Sequence, residues 1–114
     1  MKTFIRVMKA LSDQNRIKII KMLSRRELCV CEITALLGLA QPTVSKHLKN
    51  LEDAGLVESN REGAWVNYQL ADGSETAYAK AMLDHLAEWL GEDKGIKEIM
   101  SRLPQVDREK INAA

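Results

Sequence analysis

The sequence predicts a mainly α-helical domain carrying one small β-hairpin. Apolar residues recur at helical spacing along most of the chain. Two of these segments are separated only by "GLAQP", and a β-prone run, "LVESNREGAWVNYQL", follows directly. At 114 residues and 46% apolar, the chain is the size of one domain with one modest core. It lacks any run of about 18 apolar residues, so neither a membrane span nor a signal sequence is expected. Two cysteines one residue apart make no secreted disulfide framework, and a reducing cytoplasm is the expected setting. Net charge is +1, but residues 1–28 hold eight Lys/Arg against two acids, while residues 72–114 hold nine acids against six bases. A basic half permits anion binding on one side, as many solvated helix faces also would.

"FIRVMKAL" places Phe4, Val7, Met8 and Leu11 at helical spacing. "SDQNRIKIIKMLS" follows with Ser12 or Asp13 as N-cap and Ile17, Ile20 and Leu23 on one face. A third helix begins near Cys29 or Val30, carries Ile33, Leu36 and Leu37, and stops at Gly38. The next, "PTVSKHLKNLEDAG", starts with Pro42 in its first turn, where the missing N–H costs nothing, and buries Val44, Leu48 and Leu51. Two short helices joined by a tight glycine-containing turn form a helix-turn-helix, here about residues 30–54. A hairpin over about 56–70, around "NREGA", makes it a winged helix-turn-helix. "SETAYAKAMLDHLAEWLG" then presents an apolar arc of Tyr78, Ala79, Met82, Leu83, Leu86, Trp89 and Leu90, broader than one small core needs. With the further stripe of Ile96, Ile99, Met100 and Leu103, residues 75–103 are expected to meet a second partner. Residues 1–103 form the domain, and 104–114 are expected to be a mobile tail.

With Val44 pointing inward, steps of ~100° per residue turn Pro42, Ser45, Lys46 and Lys49 outward, with Thr43 beside them and Gln41 at the helix start. Amide, hydroxyl and lysine groups at a helix N-terminus suit base edges and phosphates. Arg61 at the wing tip stands where a further phosphate contact is needed. His47 lies beside the core stripe and is assigned to packing. A merely solvated helix face is the alternative.

The run "ALSDQNRIKIIKMLSRRELCVCEITALLGLAQPTVSKHLKNLEDAGLVESNREGAWVNYQL" resembles the ArsR/SmtB family of bacterial metal-sensing repressors, over about residues 5–90. "ELCVCEI" is similar to that family's metal-binding box, and "QPTVSKHLKNLEDAGLV" to its recognition helix. The resemblance implies a winged-helix homodimer, paired through its first and last long helices, that blocks transcription until an inducer binds. Its partners are then double-stranded DNA with an inverted-repeat operator and a second copy of the chain. No cofactor is required; As(III) or Sb(III) would be the inducer, held by Cys29 and Cys31. The family's zinc set is matched only by Asp72, His85 and Glu88, with Ser74 in place of a histidine, which is a poor zinc site. The third sulfur of arsenic sensors falls at Thr34.

Residues i and i+2 of a regular α-helix point ~200° apart, so both sulfurs reach one ion only if the helix begins after Cys29 or its first turn unwinds. A helix N-terminus with Arg25 and Arg26 nearby favours thiolate, and soft thiolates select soft ions. Buried core cysteines, a sensor of oxidants or reactive sulfur, another soft or transition metal, and a thiol oxidoreductase stay open as alternatives. Against the last stand the absence of Cys-x-x-Cys and of a βαβ pattern, so no enzyme is expected.

Overall fold

The computed structural model describes the backbone of residues 1–113 and the side chains of residues 1–111. Helix α1 (Lys2–Ala10) buries Val7 and Ala10 and leaves Phe4 and Ile5 exposed. Helix α2 (Gln14–Leu23) starts at Asp13, whose carboxylate accepts from the N–H groups of Asn15 and Arg16. Burial pushes the Asp13 carboxyl up, but these hydrogen bonds and the charges of His47 and Arg16 outweigh it and leave it below its ordinary value. The cap thus fixes where α2 begins.

A two-residue strand, β1 (Leu28–Cys29), leads straight into α3 (Val30–Leu37). Gly38, at φ +68°, closes α3 in the left-handed conformation, which glycine adopts without a Cβ penalty. Helix α4 (Gln41–Asp53) follows, with Pro42 in its first turn. Strands β2 (Val57–Glu62) and β3 (Trp65–Leu70) pair antiparallel, and β1 adds to the far side of β3, giving the order β1-β3-β2. The expected loop around "NREGA" shrinks to Gly63 and Ala64, because Glu62 already pairs with Trp65. Gly63 takes the positive φ that a two-residue hairpin loop demands of its first residue.

The apolar faces of α1 to α4, joined by Leu28, Leu56, Val57, Ala79, Leu86, Ile99 and Leu103, form a single core. Fully burying each such large side chain stabilises the fold by about 1.5–3 kcal/mol before the entropy cost of ordering it. Here the structure corrects the reading of residues 75–103. Helix α5 (Ala77–Glu88) stops at Glu88, and α6 (Lys94–Arg102) turns back onto α2 and α3. Leu86, Ile96, Ile99 and Leu103 are therefore buried by their own chain, and the face left open is Tyr78, Trp89 and Leu90 beside Phe4 and Ile5. Phe4 and Tyr78 meet edge to face at 5.3 Å across α1 and α5. The ammonium of Lys21, buried in α2, donates to the carbonyls of Leu86 and Trp89, both at 2.8 Å. It thereby satisfies carbonyls that the end of α5 leaves open.

The segment expected to be a tail has structure of its own. A 3-10 turn (Leu103–Gln105) brings the chain to α7 (Arg108–Ala113), which packs against α3. Polar anchors hold it: Arg26 donates to the carbonyl of Val106 at 3.1 Å, and Arg108 bridges Glu62 at 2.9 Å. Such anchors leave no hydrophobic periodicity for a sequence reading to detect.

Candidate nucleic-acid interface and thiol site

Helix α4 presents one polar face. Val44, Leu48 and Leu51 anchor it in the core, while Gln41, Thr43, Ser45, Lys46 and Lys49 are all exposed. Its N-cap is Ala40, which offers no side-chain acceptor; Pro42 has no N–H and Thr43 donates to the Ala40 carbonyl at 3.0 Å, so the helix start attracts an anion through the positive end of its dipole and the Gln41 N–H. Lys49 is less free than its exposure suggests. Asp53 accepts from its ammonium at 2.8 Å, and that hydrogen bond, with the carboxylate's charge, raises the lysine above its ordinary value. His47 is turned away from this face, with Nδ1 3.2 Å from a guanidinium nitrogen of Arg16. Arg16 also donates to the carbonyls of Ala10 and Lys9, so the pair ties α4 to α2 and α1.

Arg61 sits in β2, opposite Val66, one residue before the strand's last position. It is exposed and projects from the wing rather than from the turn itself. The wing's base is held by Asn60, whose amide donates to Glu27 at 3.1 Å.

The two cysteines do come together. Cys29 lies outside the helix, in extended N-cap geometry (φ −82°, ψ 162°), and Cys31 is the second residue of α3. Their Cα atoms are 5.4 Å apart and the sulfurs are joined as a disulfide. Of the two geometric routes open to the sequence, the structure takes the first: the helix begins after Cys29, and no unwinding is needed. Glu32 is responsible for this local shape. Its buried carboxylate accepts the N–H of Cys29 at 2.9 Å, satisfying a donor that the helix start would otherwise leave without a partner. Arg26 lies 3.4 Å from the same carboxylate. Register pairing of Cys29 with Asn67 fixes the pair against β3.

The Cys29–Cys31 segment, in which Cys29 is buried, lines a cleft of ≈ 660 Å³ with Gln41 and Ser45 of α4 on another side and Ala64, Trp65, Val66 and Tyr68 of the wing. Anything bound at the thiols therefore faces both elements expected to touch DNA. Burial pushes the Tyr68 phenol up, and the charge of Glu52 adds to that, so this wall stays neutral. Trp65 carries the Arg108 guanidinium 3.9 Å from its ring centroid, and Arg108 also donates to Asn67 at 3.1 Å. This link, running from α7 through β3 to the strand that holds Cys29, was missed from the sequence. A lone arginine in a polar tail gave no signal of it.

The remaining candidates stand apart. Asp72 accepts the N–H of Ser74 in an exposed turn, and His85 stacks on Trp89 at 4.6 Å. Within one chain, no three His, Cys, Asp or Glu side chains among the described residues gather as a metal group. The Thr34 hydroxyl is buried and has no hydrogen-bond partner among the described residues.

Residues 13–59 match the family model described as "Bacterial regulatory protein, arsR family". The chain is 38% identical over 103 residues to the arsenic resistance transcriptional regulator ArsR1 of Pseudomonas putida, covering 87% of this chain and 80% of that protein. It is 34% identical to the arsenical resistance operon repressor of Escherichia coli, covering 87% and 83% respectively. Among solved structures it is similar to the homodimeric winged helix-turn-helix DNA-binding domain of a possible ArsR-family regulator from Mycobacterium bovis. That match has 33% identity and a TM-score of 0.63, and covers 76% of this chain and 80% of the other.

Proposed function

We propose that this chain, which belongs to the arsR family of bacterial regulatory proteins, is a homodimeric operator-binding repressor that releases DNA when As(III) or Sb(III) occupies Cys29 and Cys31. The observation that carries the reading is the shared cleft: the Cys29–Cys31 segment, the start of α4 and the wing line one space. Gln41, Thr43 and Ser45 would read the major groove, and Lys46, Lys49 and Arg61 would touch phosphate. The protein acts by binding and carries out no catalysis.

Reduced, the pair offers two soft thiolates at the positive end of α3. A soft ion bound there adds bulk between α3, α4 and the wing, and so disfavours the spacing that DNA requires. An ion that binds the free form a hundredfold more tightly than the DNA-bound form supplies about 2.7 kcal/mol of coupling per site. Cys29→Ser and Cys31→Ser should bind an inverted-repeat operator like wild type and fail to release it with arsenite. Release by arsenite from both single variants would remove the pair as the sensor.

The pairing of the sulfurs favours a second reading, in which oxidants or reactive sulfur act through the same cysteines. Intact mass after treatment separates the two: an arsenic adduct in one case, a disulfide or polysulfide link in the other.

A further inference from the structure

We propose that Arg108, in the segment after α6, is a positioning residue for operator binding: it masks the Glu62 carboxylate at the wing tip, so that Arg61 meets phosphate without a competing charge beside it. The inference rests on the reading of the wing as a DNA contact, and adds to it a residue that acts from behind the wing.

The hairpin register places the two charges. Arg61 pairs with Val66, and Glu62 with Trp65, the last pair before the turn of Gly63 and Ala64. Successive residues of a strand point to opposite faces, so Arg61 and Glu62 occupy the two faces of one narrow ribbon. Arg61 is exposed, and among the described residues no carboxylate pairs with it. The Glu62 side chain is 61% exposed. A phosphate at the tip would lie on the order of one Debye length from it, ~10 Å at 0.1 M salt, close enough for an unmasked carboxylate to repel it.

Arg108 meets that carboxylate from the far side. Its Nη1 lies 2.9 Å from a Glu62 carboxylate oxygen and donates to the side-chain carbonyl of Asn67 at 3.1 Å. The Asn67 amide donates to the same Glu62 oxygen at 3.0 Å, which closes the three side chains into a ring. Asn67 is 3% exposed, so its polar atoms depend on these partners. The guanidinium also lies 3.9 Å from the Trp65 ring centroid, a flat cation over a ring face. Glu62, Trp65 and Asn67 share the face turned away from Arg61, so Arg108 stays off the surface that carries Arg61.

The segment is fixed where it must be for this reach. Arg26 donates to the Val106 carbonyl at 3.1 Å, Val106 packs on the core, and the Asp107 carboxylate accepts the N–H of Glu109 at 2.9 Å. A brace that merely stiffened the hairpin would make the same contacts, and rescue separates the two roles.

The test uses the full chain and a duplex carrying the inverted repeat that wild type itself selects from random DNA. Affinity is read by fluorescence anisotropy at ~0.1 M salt and again at about threefold higher salt, where the Debye length is shorter. Arg108→Ala should weaken binding roughly three- to tenfold at the lower salt, and the defect should shrink at the higher. Glu62→Gln alone should bind at least as tightly as wild type. Combined with Arg108→Ala, it should recover most of the loss, because no carboxylate is left to mask. Arg108→Gln, which keeps most of the side chain, gives the same comparison where circular dichroism shows that alanine costs the fold. Wild-type affinity in both Arg108 variants, or a double variant as weak as the single, would overturn the masking role and leave the wing reading in place. Arg61→Ala with wild-type affinity would overturn both.

Discussion

Replacing Glu32 by alanine removes the group that sets the two sulfurs side by side. The carboxylate accepts a buried backbone N–H from Cys29 at 2.9 Å, and a hydrogen bond to a charged acceptor contributes roughly 1.5–3 kcal/mol. The contact with Arg26, at 3.4 Å to a side chain about two-fifths exposed, adds well under about 1 kcal/mol. Glu32→Ala should therefore cost about 2 kcal/mol, close to the upper range for losing a helix N-cap. Glu32→Gln keeps an acceptor oxygen and should cost less than about 1 kcal/mol. Urea unfolding measures both, with the midpoint moving and the slope unchanged if only the native state is affected. The same variants test the site. Without its cap, Cys29 is no longer held in extended geometry beside Cys31, so arsenical affinity should fall severalfold in the alanine variant and stay near wild type in the glutamine one. An alanine variant with wild-type midpoint and wild-type arsenical affinity would show that Glu32 does not shape the pair.

The other expectations concern DNA, assembly and pH. Lys46→Ala should reduce the salt slope of operator binding by roughly 0.9 per lost phosphate contact, and thus about twice that in a dimer. Lys49→Ala should reduce it less, because Asp53 already engages that ammonium; equal shifts in the two variants would remove the distinction. Phe4→Glu and Tyr78→Glu alter side chains exposed in one chain, so sedimentation should show folded monomers that bind operator weakly. Wild-type dimers from both would place the interface elsewhere. The Arg108 hydrogen bond, and then that from Asn67, hold the Glu62 carboxyl below its ordinary value of 4.5. A depressed acid stabilises the fold above its unfolded pKa, and that contribution is lost as pH falls through the lowered folded value. Trp65, with Arg108 over its ring, should report the loss of this link as a fluorescence change below about pH 4.5 in wild type. The same titration in Arg108→Ala should lack that change.

What the sequence conveyed well were features with a local physical cause. Asp13 before an apolar-periodic run, Gly38 after one, and Pro42 in a first turn each mark a helix boundary whatever lies around them, and α2, α3 and α4 begin or end there. The hairpin followed from β-prone composition in the same way. The assignment of Leu86, Ile96, Ile99 and Leu103 to an interface failed for a different reason. Periodicity says that a face is buried and is silent about what buries it. The break at Trp89 and Leu90, with Leu90 at φ +66°, folds α6 back onto α2, and no glycine stands at that left-handed position to announce the turn.

The thiol site shows the same division at smaller scale. Spacing alone left two routes for joining Cys29 and Cys31, and it could not choose between them. The choice is made by the Glu32 cap together with β1, a two-residue strand too short to show an alternating pattern, whose pairing with Tyr68 and Asn67 holds Cys29 extended just before α3 begins. A regular helix starting one turn earlier would have separated the sulfurs by ~200° and put them in different surroundings. Because β1 pairs with the wing strand β3 and not with another helix, the element that brings the sulfurs together is also the edge of the wing. A ligand that strains the Cys29–Cys31 segment therefore acts on β3 directly, through Asn67 and Tyr68. The DNA-reading unit need not unwind for the site to be felt at the operator.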